Sequence, residues 1–303
     1  MKNRKNNEEG FLRSLRSVEM TAVILLLVLL AACKKYDLLS IFASFSESPD
    51  ERFAMSMDYN SQHGYDKIFV DEDDYKLYVM TDMHVDYSTN NLDTYIVDYL
   101  EDTTAAPFSL CLGDLVYEKG HLGYVYEHVK PVSDAGCKIY YTVGNHDLYF
   151  DQWKEYFEKF GSSTYWFEVQ TVSGFKDLYV SIDSGNGTLG VDQRAWLEKI
   201  LKDSDNQGFR HKIVFTHTNF FKKDNSQGFN SSFNLEETYD LADLFARHGV
   251  DIVLQGHAHY RDLTVFKNVS YLRLDALGDH FEEAFYTIFS IGDKINYEFI
   301  KVK

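Results

Sequence analysis

From residue 75 onward, short apolar runs alternate with stretches in which apolar side chains recur every three or four positions. Lys76 to Met80 and Phe108 to Leu112 are typical of strands, whereas residues 92 to 100 carry their apolar side chains at helical spacing. A strand, a helix and a second strand in this order predict parallel pairing through a crossover connection.

The same alternation continues to residue 254. The next predicted strands are Lys138 to Val143, Leu178 to Ile182, Lys212 to Thr216 and Asp251 to Leu254. The predicted N-caps of the helices between them are Asp151, Asp192 and Asn234, and the predicted stops are Gly161 and Gly249. The two hairpins predicted to follow are Asp262 to Phe266 with Ser270 to Leu274, and Ala284 to Ser290 with Lys294 to Val302. Together these elements predict one α/β domain over residues 74 to 303.

The first 32 residues differ in composition from the rest of the chain. Five basic side chains between residues 2 and 16 precede an uncharged apolar run from Thr21 to Ala32. This run is too short to span a bilayer comfortably and has the shape of a signal-peptide core. Residues 1 to 32 are therefore predicted to be a signal peptide.

The end of this segment, Leu30-Ala31-Ala32-Cys33, resembles the lipobox of a bacterial lipoprotein, in which the signal is cut before the cysteine. The resemblance implies lipidation at Cys33 and an exported protein, lipid-anchored to a membrane in the bacterial periplasm or at the cell surface. Residues 33 to 73 are then the anchor cysteine and a tether with room for an edge element. An ordinary secretory signal or a short anchor helix is the alternative, and both also place the domain outside the cytoplasm.

The formal net charge is −17, and residues 1 to 32 hold five basic and three acidic side chains, so the mature part carries −19. So acidic a protein is a poor nonspecific binder of nucleic acid or of anionic lipid surfaces. We therefore expect no nucleic-acid binding and membrane contact only through the lipid anchor. No obligate protein partner is evident from the sequence. Any bound phosphate must be held by local positive charge, for which metal ions are the obvious source.

Apart from Cys33, the chain contains only Cys111, near the end of its predicted strand, and Cys137, near the start of the next. In parallel neighbours this offset of about five residues, at roughly 3.3 Å each, separates the sulfurs too far to bridge. Two free, buried cysteines are predicted.

Five short polar runs, each beside a predicted strand, contain the candidate metal ligands. They are Asp82-Met83-His84, Gly113-Asp114, Gly144-Asn145-His146-Asp147, His217 and Gly256-His257-Ala258-His259. Loops at the carboxyl ends of strands converge at one edge of an α/β sheet. Asp82 and His84 are two residues apart, so an extended backbone is expected to point both side chains to the same side. The same spacing relates His257 and His259.

The order and composition of these runs resemble those of the calcineurin-like metallophosphoesterases over residues 75 to about 265. The resemblance implies an α/β fold in which a two-sheet β-sandwich is flanked by helices. The metal ligands that it implies are Asp82, His84 and His259 for one ion, Asn145, His217 and His257 for the other, and Asp114 as the bridge. It also implies that His146 is an unligated acid or electrostatic partner of the substrate and that Asp147 is an orienting neighbour.

Such a ligand set predicts phosphate-ester hydrolysis. Two cations roughly 3.5 to 4 Å apart neutralise an anionic ester and stabilise both the entering and the leaving oxygens. A metal-bridging hydroxide is the expected nucleophile, on a phosphomonoester or a phosphodiester. Mixed imidazole and carboxylate ligands suit Mn, Fe or Zn, so the expected cofactors are two divalent or mixed-valence transition-metal ions.

Gly113-Asp114-Leu115-Val116-Tyr117 also resembles the Gly-Asp-x-x-Tyr run of purple acid phosphatases, whose tyrosine ligates ferric iron. In that subgroup the first motif has glycine where this chain has His84, so Tyr117 is expected to be a pocket wall or a core residue. A purple-acid-phosphatase-like monoesterase is one alternative hypothesis. A surface lipoprotein that uses the fold as a binding module is the other.

Overall fold

The computed structural model describes residues 47–86, 106–221, 233–278 and 283–302. The helices are α1 (Pro49–His63), α2 (Leu122–Asp134), α3 (Trp153–Phe160), α4 (Gly190–Ser204) and α5 (Leu235–Arg247), with a short 3₁₀ helix at His146–Leu148. The first six strands are β1 (Lys67–Phe69), β2 (Tyr75–Met80), β3 (Phe108–Cys111), β4 (Lys138–Tyr141), β5 (Tyr165–Gln170) and β6 (Lys176–Ser181). The remaining strands are β7 (His211–Phe215), β8 (Ile252–Gln255), β9 (Asp262–Phe266), β10 (Val269–Arg273), β11 (Phe285–Ile291) and β12 (Ile295–Lys301). The predicted signal peptide, Cys33 and the predicted helix over residues 92 to 100 lie outside the described residues.

The strands form two sheets, a seven-stranded one in the order β1-β5-β6-β7-β8-β10-β9 and a five-stranded one in the order β12-β11-β2-β3-β4. In the five-stranded sheet β2, β3 and β4 are parallel, and in the seven-stranded sheet β6, β7 and β8 are parallel. Both predicted hairpins form, since β9 pairs with β10 and β11 pairs with β12 in antiparallel register. The predicted two-sheet α/β sandwich is confirmed.

The core has three layers because successive side chains of each strand point to opposite faces. Leu77 and Val79 of β2 pack between the two sheets, against Phe167 and Phe215 of the facing sheet. Tyr78 and Met80 of the same strand pack outward, with buried apolar side chains of α2 and α3. A third cluster lies between the seven-stranded sheet and helices α4 and α5. The central strands β3, β7 and β8 are thus buried on both faces, which accounts for their continuous apolar runs.

The helix ends confirm some of the predicted caps and correct others. Asn234 accepts the N–H of Glu237 at 2.9 Å and caps α5 as predicted, and Gly161 ends α3 with a positive φ of 78°. Asp151 is not the N-cap of α3, because Gln152 occupies that position. Asp192 lies inside the first turn of α4, whose N-cap is Leu189.

The tether predicted for residues 33 to 73 differs from the structure in its second half. Pro49–His63 forms helix α1, which begins with a capping box between Ser48 and Glu51. β1 then pairs in parallel with β5 at the edge of the seven-stranded sheet. The sequence pattern missed α1 because its buried residues, Arg52, Ser56 and Asn60, are polar, so no apolar stripe marks the helix.

Cys111 and Cys137 are both free and buried, as predicted. Cys111 lies opposite Tyr141 in the β3–β4 register, whereas Cys137 precedes β4, so the two residues stand at opposite ends of the strand pair. Within the described ranges, no helix is both long and apolar enough to cross a bilayer.

Candidate metal centre

The predicted ligands follow the carboxyl ends of five strands that belong to both sheets: β2, β3, β4, β7 and β8. Backbone hydrogen bonds tie the loops together, since the N–H of Asp82 donates to Gly113 and the N–H of His84 donates to Asp114. Across the other sheet, the N–H of Gly256 donates to the carbonyl of His217. The site therefore stands where the two sheets converge, on loops that hold one another.

One group of side chains brings together Asp82, His84, Asp114 and His259, whose ligand atoms lie within 4.8 Å of one another. The Nε2 atoms of His84 and His259 are 3.0 Å apart, and His259 Nε2 is 3.3 Å from Asp82 Oδ1. His84 Nε2 is 3.5 Å from Asp114 Oδ2. Two imidazole nitrogens and two carboxylates thus face one point.

A second group brings together Asp114, His217 and His257. His217 Nε2 is 3.2 Å from Asp114 Oδ2 and 3.1 Å from Asn145 Oδ1, and His257 Nδ1 lies 3.2 Å from His217 Nε2. The Asn145 amide has a fixed orientation, because its Nδ2 donates to Tyr149 Oη at 2.9 Å. Asp114 belongs to both groups, and all seven predicted ligands are brought together.

The donor atoms fit two transition-metal ions. Imidazole nitrogens mixed with carboxylate and amide oxygens are typical ligands of Mn, Fe and Zn. The distance of only 3.0 Å between the Nε2 atoms of His84 and His259 is favourable when a proton or a metal ion lies between them. Asp82, His84 and His259 form the first subsite. Asn145, His217 and His257 form the second subsite, and Asp114 is common to both.

Five of the seven predicted ligands have a positive φ, which is rare for residues with a side chain. The values are 52° for Asp82, 49° for His84, 53° for Asp114, 73° for His257 and 58° for His259. The extended backbone expected from the i, i+2 spacing is therefore wrong, although both members of each pair do reach the site. Such conformations cost on the order of 1 to 3 kcal/mol each and persist where the surrounding structure enforces them, most often at functional sites.

The motif glycines allow the loops to approach closely. A Cβ on Gly144 would lie 2.2 Å from Asp114 Oδ1. A Cβ on Gly256 would lie 2.0 Å from Thr81 Oγ1 and 2.6 Å from Asp82 Oδ2. The glycine before each of these ligand runs therefore leaves room for a ligand carboxylate.

Hydrogen bonds behind the ligands fix their orientation. His217 Nδ1 lies 2.8 Å from the carbonyl of Leu112 and must carry the proton, so Nε2 is left to face the site. Asp82 Oδ2 accepts from Thr81 Oγ1 at 2.7 Å and from the N–H of His257 at 3.0 Å. No sequence pattern had singled out Thr81, because a threonine at a strand end has many structural uses.

The buried site has strongly shifted pKa values. Burial opposes the charge of Asp82, but His259 and His84 outweigh it and hold the pKa of Asp82 well below its usual value. Burial likewise opposes protonation of His217, yet the carboxylate of Asp114 raises the pKa of His217 to about 9. Burial, together with the neighbouring His217, lowers the pKa of His257 to about 3. Asp82 is thus ionised, as a carboxylate metal ligand must be.

His146 lies beside the ligands rather than among them. Its backbone N–H donates to Asp114 Oδ1 at 2.8 Å, and its ring meets the ring of His84 edge-on at 4.6 Å between centroids. Its Nδ1 lies 2.8 Å from the carbonyl of Tyr117, whose half-exposed ring stacks on the imidazole at 5.2 Å. Burial lowers the pKa of His146. Tyr117 is therefore a wall beside His146.

Asp147 is fully buried and holds backbone rather than substrate. Its carboxylate accepts the N–H groups of Gly144 at 2.9 Å, Asp114 at 2.9 Å and Leu115 at 2.8 Å. Burial and the charge of Asp114 raise the pKa of Asp147 to about 7. Asp147 therefore positions the loops that carry Asp114 and Asn145, and we class it as a positioning residue instead of a catalytic one.

The model of the calcineurin-like phosphoesterase family matches residues 75–261. The chain is 27% identical over 185 residues to serine/threonine-protein phosphatase CPPED1 of Rattus norvegicus, across 56% of this chain and 59% of the rat protein. It therefore spans little more than half the length of that relative.

Two solved structures share the fold. A dimetal phosphatase from Danio rerio superposes with a TM-score of 0.56 at 10% identity, covering 76% of this chain and 98% of the fish protein. A purple acid phosphatase from yellow lupin (Lupinus luteus) seeds gives a TM-score of 0.56 at 14% identity, covering 76% of this chain and 52% of the plant protein. The family match covers more than half of the chain and contains every predicted ligand, so the protein belongs to the calcineurin-like phosphoesterase family.

Proposed function

We propose that the protein is a hydrolase of phosphate esters that works with two transition-metal ions, Mn, Fe or Zn. One observation carries the proposal: two groups of ligand atoms share a single carboxylate, that of Asp114. A carboxylate shared in this way is the arrangement expected of paired ions. When bound, the two cations would neutralise the ester and lower the pKa of a water molecule, which can then lose a proton and attack phosphorus as hydroxide.

The protein side chains have separate tasks in this reaction. Asp114 would hold both ions, and its Oδ1 accepts the N–H of His146 at 2.8 Å, which ties His146 to the centre. Because Nδ1 of His146 is held by the carbonyl of Tyr117, Nε2 is the nitrogen left to meet the substrate. Nε2 carries a proton only when the ring is an imidazolium, a form that burial opposes and the carboxylate of Asp114 favours. We propose that this imidazolium donates its Nε2 proton to the leaving oxygen, a role typically worth about 10² to 10⁴ in rate.

The test uses the protein from residue 34, stripped of metal and refilled with Mn, Zn or Fe, on a chromogenic phosphate monoester and diester. We expect activity to return with metal, and the ratio of monoester to diester turnover identifies the preferred ester. If two ions bind and neither ester is hydrolysed, the result would contradict the hydrolase proposal. It would favour the hypothesis of a surface lipoprotein that uses the fold as a binding module.

A purple-acid-phosphatase-like centre is favoured by one feature only, Tyr117 three residues after Asp114. The position of the Tyr117 ring supports the role of a pocket wall instead. The ring stacks on His146 and meets His84 at 5.7 Å between centroids. We propose that Tyr117 is a wall for the leaving group. A visible tyrosinate-to-iron absorption band in the iron-loaded protein, absent from Tyr117→Phe, would instead identify it as a ligand.

We also propose that the protein is exported and lipid-anchored through Cys33. The basic segment, the apolar run and the Leu-Ala-Ala-Cys sequence support this proposal. Expression in a bacterium with a labelled fatty acid tests it, with Cys33→Ser as the matched control. Label on the wild type alone is the expected result, and an unlabelled, secreted wild type would favour an ordinary secretory signal.

A further inference from the structure

Helix α1 precedes the region matched by the family, yet it carries a fully buried arginine. The guanidinium of Arg52 makes a two-pronged ion pair with Asp183, from Nε to Oδ2 at 2.7 Å and from Nη2 to Oδ1 at 3.0 Å. Its Nη1 donates to the carbonyl of Glu47 at 2.7 Å. An arginine and a carboxylate buried together are expensive to desolvate, so such a pair is weak evidence of a purely stabilising role.

Asp183 belongs to the 182–185 segment, which follows β6 and lies between the two chain stretches that carry second-subsite ligands. On one side, Ser184 Oγ accepts the N–H of Thr218 at 2.8 Å and the hydroxyl of Thr216 at 2.6 Å. Thr218 Oγ1 also donates to the carbonyl of Ser184 at 2.7 Å. These hydrogen bonds hold Thr216 and Thr218, the residues immediately before and after His217, in place.

On the other side, the segment packs against the residue before Asn145. A Cβ on Gly185 would lie 3.0 Å from the carbonyl oxygen of Gly144 and 2.6 Å from Leu148 Cδ1. The N–H of Gly185 in turn donates to Asp183 Oδ1 at 3.1 Å, so the carboxylate held by Arg52 fixes this close approach. A shift of Asp183 therefore moves the support of Asn145 and of His217 together.

Arg52 also touches the element that follows the His146–Leu148 turn. Its Cζ lies 5.7 Å from the centre of the Trp153 ring, and Trp153 is fully buried at the start of α3. The first subsite has other supports: Asp82 is held by Thr81 and by the N–H of His257. The contacts of Arg52 thus lead to one half of the metal centre.

We propose that Arg52 is a positioning residue for the second metal subsite. Through Asp183 it holds the 182–185 segment against the chain at Asn145 and His217, and so sets the separation of these two ligands. The inference rests on the proposed two-metal function. It predicts that helix α1, outside the family match, is needed for binding of the second ion and not of the first.

The chain offers a matched control in the ion pair between Arg210 and Asp177. Arg210 Nη2 donates to Asp177 Oδ2 at 2.6 Å and Nε donates to Oδ1 at 3.1 Å, and Asp177 is fully buried. This pair has the same two-pronged chemistry, but it stands at the amino end of β6, whereas Asp183 follows the carboxyl end. Breaking either pair leaves a buried carboxylate without its partner, so both substitutions are expected to destabilise the fold.

The experiment measures metal binding, not activity, by calorimetric titration of Mn²⁺ into the metal-stripped chain from residue 34. The wild type is compared with Arg52→Met, Arg52→Lys and Arg210→Met, and Asn145→Ala identifies which binding step belongs to the second subsite. We expect Arg52→Met to weaken that step about 10- to 100-fold, as loss of a support behind a ligand does, with the other step unchanged. Arg52→Lys is expected to be intermediate, because an ammonium group cannot make the two-pronged contact.

Arg210→Met is expected to leave both steps unchanged at a temperature where every variant is folded. Equal weakening in Arg210→Met would overturn the inference, because general destabilisation would then account for the effect. Wild-type binding of both ions by Arg52→Met would overturn it too, and if that variant does not fold, Arg52→Lys with both steps at wild-type strength has the same meaning. A wild type that binds fewer than two ions would instead contradict the two-metal centre itself.

Discussion

The two ends of the parallel strands differ in how they treat buried charge. Within the metal centre, at the carboxyl ends, similar groups face one another, such as His84 Nε2 and His259 Nε2 at 3.0 Å. At the amino ends, opposite charges are paired, as in Arg210 and Asp177 at 2.6 Å. The first arrangement is favourable when a proton or a metal ion lies between the two nitrogens, whereas the second is complete within the protein.

The backbone differs in the same way. Asp82 and His257 adopt left-handed conformations in loops after the strands, whereas Asp177 and His211 lie within regular strands. Left-handed backbone and closely facing polar side chains therefore occur together in the loops of the metal centre. The metal centre at the carboxyl ends is therefore arranged for binding and the amino end for stability, and substitutions at each end test this difference.

Asp114→Asn should have the largest effect on activity. The carboxylate is the ligand common to both subsites, and an amide has one oxygen in place of two and no charge. We expect ester hydrolysis to fall to background and metal binding to weaken at both subsites. Asp177→Asn, at the amino end, is the matched change and should lower stability while metal-dependent turnover persists. Full activity with two bound ions in Asp114→Asn would end the two-metal assignment.

His146→Ala should separate metal binding from catalysis. The ring lies outside both ligand groups, so we expect two ions to bind with wild-type stoichiometry. The rate should fall by about 10² to 10⁴, the usual contribution of a group that assists proton transfer. Metal analysis and steady-state kinetics on the same preparation check both parts. Loss of an ion from this variant would make His146 a ligand.

Gly256→Ala should damage the first subsite without removing any predicted ligand. The added Cβ would lie 2.0 Å from Thr81 Oγ1 and 2.6 Å from Asp82 Oδ2, and neither atom can yield without moving the ligand. We expect metal affinity to fall about 10- to 100-fold. Gly123→Ala, in helix α2, is the control, because the nearest atom to its Cβ is 3.5 Å away. Equal metal affinity in both variants would mean that close approach at Gly256 is unimportant.

The sequence predicted those parts of the fold that depend on local patterns. Strands buried on both faces appear as apolar runs, and ligand-bearing loops at strand ends carry their residue types openly. The sequence pattern did not predict helix α1, because the residues that the helix buries are polar, Arg52 among them. The sequence pattern predicts Asp192 as a local cap for the first turn of α4. In the structure the carboxylate of Asp50, 141 residues before Val191, accepts the backbone N–H groups of Val191 and Asp192.

The residues of the site were accessible to prediction, but their geometry was not. An i, i+2 spacing predicts a shared direction only if the backbone is extended, and Asp82 and His84 have φ values of 52° and 49° instead. Those angles are enforced by loops from other strands, as in the hydrogen bond from the N–H of His84 to Asp114. Such tertiary constraints leave no mark on the local sequence.

The smallest expected effect is at the amino end, where His211 couples stability to pH without metal. Burial opposes its charge, but the carboxylates of Asp251 and Asp177 and the carbonyl of Gly292, 2.8 Å from Nε2, raise the pKa of His211 above its usual value. Its contribution to folding is therefore fully present below the unfolded pKa of about 6.5 and is lost as the pH rises through the raised folded pKa.

His211→Gln should therefore cost more stability at pH 6 than at pH 9, by no more than about 1 kcal/mol, because Asp251 is partly exposed. Urea denaturation of wild type and variant at both pH values, with and without Mn²⁺, measures it. The difference between the two pH values should be the same in both metal conditions, since the group lies at the metal-independent end. If the stability cost of His211→Gln differs between the two pH values only with bound metal, the two ends are coupled. That result would contradict the proposed independence of the amino end from the metal centre.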